Sequence, residues 1–236
     1  MLIRLFLDRV IKRECRMKNG DRQTMHQQLT SLTTVGYTES HLLIISDILQ
    51  SRSQYPYLRI FDNQQRFNSP GTSMLHPFEF IDSLEGCHDC VFALSRPSGK
   101  RSMVDTFGLT PDRFLNLIHG KAYISGYAHL GNGLRIDACS SIGPAVSVGD
   151  FVHVKDQAYI GHHSHIGSFT TINPSASLAS GVHVGSGVTI GLGARILNDI
   201  FVGDGTIVGA GSVVTKDLPA GVVAYGNPCR VVRDID

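Results

Sequence analysis

From Ile124 onward, every sixth residue is aliphatic. Ile124, Leu130, Ile136, Ile142, Val148, Val154, Ile160, Ile166, Ile172, Leu178, Val184, Ile190, Ile196, Val202, Val208 and Val214 follow one another without an insertion. A period of six is too long for strand alternation and does not match a helical turn. It fits a chain that turns a corner every six residues and points one aliphatic side chain inward from each flat segment. Three segments close a triangular coil of about 18 residues, and stacked coils hydrogen-bond as parallel strands around an aliphatic ladder. Sixteen aligned positions predict a parallel β-helix of about five coils.

The residues around the ladder agree with this. Of the 25 glycines, most lie beyond Lys121, and no glutamate occurs there. Gly131, Gly143, Gly149, Gly161, Gly167, Gly185, Gly191, Gly203 and Gly209 each follow a ladder residue directly. Glycine at that place suits corners with unusual backbone angles.

Residues 29–120 have a different grammar. Leu29–Gly36, Tyr57–Asn63 and Cys90–Ser95 read as strands. Ser40–Leu49 has helical spacing, His76–Leu84 opens on Pro77 as a short helix would, and Gly99–Phe107 fits another helix. Such alternation predicts a small α/β domain of Rossmann-like type. Residues 1–28 form an extension. Met1–Cys15 can place its apolar residues on one helical face, which fits a membrane-surface helix or a loosely held leader to the domain. Arg4 and Asp8 interrupt the apolar run that a signal peptide needs. The expected boundaries are 29–120 for the α/β domain, 121–215 for the β-helix and 216–236 for a C-terminal tail.

Composition narrows the function. A net charge of +1 from 21 basic and 20 acidic residues argues against a nucleic-acid binder. No apolar run is long enough for a membrane span. Five cysteines suit a reducing, cytoplasmic setting better than a disulfide framework. Cys87 and Cys90 form a lone CxxC with no second ligand pair, and no metal is expected.

The six-residue pattern and the closing run Val213–Arg233 (VVTKDLPAGVVAYGNPCRVVR) resemble the left-handed β-helix acyltransferases. Gly36–Leu49, RIFDN, VFALS and Phe114–Ser125 are similar to the bacterial sugar O- and N-acetyltransferases, which act on sialic acid or nucleotide-linked amino sugars. The resemblance implies a homotrimer that binds acetyl-CoA between neighbouring β-helices and acetylates a sugar or nucleotide-sugar acceptor in the cytoplasm, in polysaccharide biosynthesis.

The same resemblance implies the site residues. The family's general base lies in a segment matched here by Ile160–Gly167 (IGHHSHIG), which assigns the base to His162, with His163 and His165 as auxiliary candidates. A neutral imidazole, with its ordinary pKa near 6.5, can take the proton of an attacking amine or hydroxyl. The plain alternative is a solvated corner histidine. The acidic neighbour common in the family is absent, since Gly161 and His163 flank His162. A second family histidine, near the thioester, falls on Thr171, and a family asparagine on Lys155. Coenzyme contacts fall on Thr171, Gly191, Gly209, Lys216, Asn227, Arg230 and Arg233, where cations and close backbone approach suit phosphates and the pantetheine arm. Acceptor contacts fall on Gly36, Asp62 and Asn63. The phosphate loop keeps only Gly36 in Gly36–His41, and Glu39 would repel a phosphate. That departure leaves two competing readings, a non-catalytic β-helix scaffold and an acyltransferase for a non-sugar acceptor.

Overall fold

The computed structural model describes residues 31–36, 39–54, 57–61 and 78–235. The extension 1–28, Asp62 and Asn63 lie outside the described residues.

The repeat folds as a β-solenoid. Seventeen two-residue strands run from β5 (Leu117–Ile118) to β21 (Val213–Val214), one every six residues. They stack into three parallel sheets that form the faces of a prism. Face I begins with Leu117–Ile118 and includes Arg135–Ile136, His153–Val154, Thr171–Ile172, Thr189–Ile190 and Ile207–Val208. Face II includes Ser141–Ile142, Tyr159–Ile160, Ser177–Leu178, Arg195–Ile196 and β21. Face III includes His129–Leu130, Ser147–Val148, His165–Ile166, His183–Val184 and Phe201–Val202. The coil count is about six rather than five, because Ile118 extends the ladder by one step at its start. This solenoid fits a left-handed β-helix.

Each coil hydrogen-bonds to the next, as in Tyr159 N to Ala176 O (2.9 Å) and Gly161 N to Leu178 O (2.9 Å). Ladder residues from Ile136 to Val214 are buried and form one continuous core. Each contributes roughly 1.5–3 kcal/mol of apolar burial. The far end is closed by β22 (Val222–Gly226), which pairs in parallel with Ile207–Val208, and by β23 (Cys229–Asp234), antiparallel to β22.

The corners correct the expectation about glycine. Positive φ falls on the third residue after each ladder position, continuously from Gly133 to Gly211, and many of these are not glycine. Cys139 (φ 57°), Phe151 (60°), His163 (60°) and Phe169 (65°) are examples. The glycines directly after the ladder serve close approach instead. A Cβ on Gly191 would lie 2.5 Å from Ala210 N and from Gly209 C of the next coil.

The α/β unit has four parallel strands, β1 (Ser31–Val35), β2 (Tyr57–Phe61), β3 (Phe78–Ile81) and β4 (Cys90–Phe92), in the order β3-β2-β1-β4. Two helices, α1 (Glu39–Ser51) and α2 (Pro97–Phe107), accompany them. This is a parallel α/β arrangement, but one too limited to establish a Rossmann-like fold. The short helix expected over His76–Leu84 is a strand at Phe78–Ile81, paired with Leu58–Phe61. Parallel pairing at a sheet edge outweighs the local signal of Pro77 there. Leu42, Ile45, Ile48 and Leu49 of α1 pack on Leu32, Leu58, Ile60 and Val91. Phe92, Phe114 and Phe151 join the unit to the solenoid, with ring centroids 4.7–5.5 Å apart.

Candidate active site

His162 lies at the corner between faces II and III, in the turn from Tyr159–Ile160 to His165–Ile166. Its ring and that of His163 are exposed, and their Nδ1 atoms are 2.8 Å apart. The rings meet edge to face, with centroids 5.0 Å apart. The backbone beneath is pinned on both sides: His163 N donates to Pro144 O (3.1 Å), and His162 O accepts from Gly181 N (2.9 Å). The coil spacing places Lys216 at this same corner, three coils further on. At a strand spacing of about 4.8 Å, the two side chains start roughly 14 Å apart along one edge.

His165 stands apart from the pair. It projects from face III, where its Nδ1 is 2.6 Å from Ser147 Oγ and its ring stacks on His183 at 4.6 Å. Partial burial, reinforced by His183, lowers its pKa.

The expected coenzyme contacts are distributed over several places. Gly191 and Gly209 lie at the corner between faces I and II. Asn227, in a cis peptide bond with Pro228, and Arg230 and Arg233 are exposed on the turn and strand β23. Arg230 Nη1 donates to Cys229 O (2.8 Å) and Arg233 Nη1 to Asp234 O (3.0 Å). Among the described residues, neither arginine nor Lys216 makes an ion pair. Thr171 is buried on face I, beneath the α/β unit, and its hydroxyl donates to Ser95 O (2.7 Å).

Gly36 directly follows β1 with φ 82°, and a Cβ there would lie 2.6 Å from Leu94 Cγ. Leu94 follows β4. In this strand order the direction of winding reverses between β1 and β4, where open α/β sheets bind ligands beyond the carboxyl ends of their strands. Leu94 therefore packs into the mouth of that crevice.

A buried polar cluster that the sequence motifs do not mark lies under the same crevice. His41 Nε2 is 2.6 Å from Ser95 Oγ, and Arg135 Nη2 lies 3.4 Å from the same hydroxyl. Lys100, Arg135, Asp137 and His153 are buried, and Lys100 Nζ donates to Phe151 O (2.5 Å). Arg135 Nε and Asp137 Oδ1 are in ionic contact at 3.2 Å but off hydrogen-bond geometry, so among the described residues neither carboxylate oxygen has a hydrogen-bonded partner. Among the same residues both nitrogens of His153 also lack one. Burial is the main force on every titration here. It holds His41 down to about 4, helped by Arg135 and Lys155, pushes Lys100 and His153 well down, and raises Asp137. Arg135 and His153 occupy outward positions of the repeat, which looks the same whether solvent or another layer covers them. A column taken every 18 residues, Leu117, Arg135, His153, Thr171, Thr189, was the available signal.

Beside α1 lies a cavity of about 280 Å³ whose lining includes Asp47, Asp137, Asp156 and His119. Its three carboxylates disfavour an anionic ligand. Among the described residues, no group of three or more His, Cys, Asp or Glu could hold a metal ion. Cys87 and Cys90 are buried free thiols, and burial pushes Cys90 up to about 12.

The family profile for the bacterial transferase hexapeptide (six repeats) matches residues 139–174. That stretch lies within the solenoid, and the match is confined to it. The span contains His153, His162, His163, His165 and Thr171. By fold, the chain is similar to a variant of perosamine N-acetyltransferase from Caulobacter crescentus solved with CoA and GDP-perosamine. The TM-score is 0.75 at 25% identity, covering 86% of this chain and 97% of that one. It is also similar in fold to the acetyltransferase domain of PglB from Neisseria gonorrhoeae, solved with acetyl coenzyme A (TM-score 0.75, 23% identity, 86% and 100% covered). WeeI from Acinetobacter baumannii has the same fold (TM-score 0.70, 22% identity, 86% and 100% covered). No curated protein matches the chain by sequence. The resemblance to left-handed β-helix acyltransferases is thus borne out. Among the described residues, no helix is long and apolar enough to cross a membrane.

Proposed function

We propose that this protein is an acetyl-CoA-dependent acetyltransferase that modifies an amine of a nucleotide-linked sugar, with His162 as general base. The observation that carries the reading is the overlay on the perosamine N-acetyltransferase, which spans the α/β unit as well as the solenoid. Both the donor-binding and acceptor-binding parts of such an enzyme therefore have counterparts here.

The residues fit coenzyme A. Lys216, Arg230 and Arg233 offer exposed cations for its phosphates near the closed end of the solenoid. Gly191 and Gly209 sit at the corner between faces I and II, where the pantetheine arm would pass, and their missing side chains let the next coil and Tyr225 close in. Acetyl-CoA, when bound, supplies the acyl group as a thioester. His162 Nε2 then accepts the proton of the acceptor nitrogen as that atom attacks, a role that suits an exposed imidazole whose Nδ1 is already engaged. No nucleophilic serine or cysteine is required.

The geometry supports a homotrimer. His162 and Lys216 share the corner between faces II and III, while Gly191 and Gly209 share the corner between faces I and II. The α/β unit rests on face I. A cleft that uses both corners needs a second copy, and closed cyclic symmetry supplies it. The free thiols of Cys87, Cys90, Cys139 and Cys229 support a cytoplasmic setting.

A second reading, an acceptor without a nucleotide or a hydroxyl acceptor such as sialic acid, is favoured by Leu94. Its side chain occupies the mouth of the crevice beside Gly36.

The test is thiol release from acetyl-CoA with GDP-perosamine, other nucleotide-linked amino sugars, free amino sugars and sialic acid. Release that needs one acceptor and falls at least about 100-fold in His162→Ala supports the reading. Release that survives His162→Ala removes the base assignment. No release with any acceptor, from protein that is trimeric by light scattering, moves the chain to the scaffold reading.

A further inference from the structure

We propose that His163 is a positioning residue that fixes the tautomer of His162. This rests on the reading of His162 as the base.

Two imidazole Nδ1 atoms 2.8 Å apart can hydrogen-bond only if one carries a proton and the other a lone pair. A base acting through Nε2 must carry its ring proton on Nδ1. His163 therefore accepts that proton through its own Nδ1 and keeps its own proton on Nε2. The arrangement leaves one unengaged lone pair in the dyad, at His162 Nε2. Which ring nitrogen of a histidine is protonated is set by the bond that the other makes, and His163 makes that bond here.

The pairing acts most strongly when it is needed. As the acceptor N–H gives its proton to His162 Nε2, His162 becomes an imidazolium and its Nδ1–H···Nδ1 bond becomes charge-assisted, hence stronger. An interaction that strengthens as charge develops lowers the barrier rather than only tightening the ground state. His162 Nε2 then passes that proton to the thiolate leaving group as the acyl carbon–sulfur bond breaks and the carbon–nitrogen bond forms. The dyad ends in the tautomers with which it began, and His163 stays neutral throughout.

The frame holding His163 is specific. Its φ is 60°, at the corner position filled by Ala145, Gly181 and Asp199 in other coils. A non-glycine residue there costs about 1–2 kcal/mol in backbone strain. The titratable groups on the adjoining elements are engaged elsewhere or further along. His165 and His183 stack on face III, Tyr159 projects from face II, and Asp199 lies two coils on, over Gly181. Among these, His163 alone touches the His162 ring.

The experiment is long-range ¹H–¹⁵N NMR of the full-length protein labelled on histidine, with no ligand added, and with His162→Ala to assign the resonances. Wild-type His162 should be in the Nδ1–H tautomer. His163→Gly keeps a backbone residue already found at Gly181, so it deletes the ring without new strain. It should shift His162 to a mixture of tautomers and lower kcat about 10-fold on the best acceptor of the panel, with KM unchanged. His163→Asn tolerates positive φ and offers Oδ1 to the same proton, so it should restore both. A His162 found in the Nε2–H tautomer, or unmoved by His163→Gly, overturns the proposal. Full activity in His162→Ala defeats the base reading itself. An inactive His162→Ala beside a fully active His163→Gly defeats only the role of His163.

Discussion

Along the solenoid, each ladder position from Ile136 to Val214 is aliphatic and stacks on others like itself one coil away. The contact between face I and the α/β unit instead contains Lys100, Arg135, Asp137, His153 and the Thr171 hydroxyl. Both regions are buried, but different forces hold them. The ladder is redundant, because each residue contributes a similar increment and its neighbours repeat it. The junction rests on a few polar groups whose desolvation cost is only partly offset by partners. The solenoid should therefore lose stability gradually as it is damaged, and the docking of the α/β unit should fail abruptly.

Arg135→Ala is expected to have the largest effect. It leaves the Asp137 carboxyl buried without its cation, at a cost of about 3–5 kcal/mol. Denaturant unfolding should show a new early transition, and limited proteolysis should cut near the junction while the solenoid stays protected. A single, unshifted transition would mean that the junction is no weaker than the ladder. Restoring most of the stability with Arg135→Met plus Asp137→Leu would show that the cost is electrostatic.

Ile172→Ala probes the other side of the comparison. Its site is fully buried in the middle of the ladder, and the truncation should cost about 2–5 kcal/mol, with the lower end favoured if neighbouring coils settle into the gap. Here the main transition should move, with no separate early one. Thermal unfolding followed by circular dichroism measures it.

The two regions were also unequally legible. The ladder could be read because a single residue class recurs at fixed spacing; only its ends, Ile118 and the β22 strand, were missed. The positive-φ corners were not legible, since Phe151, His163 and Phe169 occupy them and no composition marks the place. The β3 strand reads as a helix in the sequence because Pro77 is a local signal, whereas the pairing of Phe78–Ile81 with β2 is a tertiary one. The position of His162 came from the resemblance to the acyltransferases. Its contact with His163 could not, because adjacent residues seldom face each other unless a corner such as this turns them together. The cluster of His41, Ser95, Arg135 and His153 depends on the α/β unit folding back over face I; the column Leu117, Arg135, His153, Thr171, Thr189 marks that face but not the layer that covers it.

Acid should separate the regions next. His41 is held at about 4 in the folded protein, against an ordinary value of 6.5, and His153 is lowered as well, both chiefly by burial. Between about pH 6.5 and 4, the unfolded chain therefore binds more protons than the folded one. Stability contributed by these groups is present above the unfolded pKa and is lost as pH falls through that window. Hydrogen exchange at pH 7 and pH 5, each referred to the intrinsic rate at that pH, should show lower protection factors in α1 and β4 at the lower pH, with the ladder amides still protected. Equal protection at both values would mean that the two histidines open to solvent without undocking the unit. His41→Asn should flatten the pH dependence.

The smallest effect concerns the two kinds of corner residue within the solenoid. Cys139 is exposed with φ 57°, so glycine there relieves about 1–2 kcal/mol of strain but adds about 0.5–1 kcal/mol of unfolded-chain entropy. Cys139→Gly should be neutral to stabilising by roughly 1 kcal/mol. Gly167→Ala should do the reverse. Its φ is not in the left-handed region, so alanine would ordinarily stabilise the chain through the unfolded state. Its Cβ, however, would lie 2.5 Å from Gly185 C and from Ser186 N of the next coil. Backbone cannot yield as a flexible side chain does, and the coils would have to part. Opposite signs for the two variants in thermal unfolding would show that conformation governs one corner position and close approach the other. Matching signs would mean that a single requirement governs both.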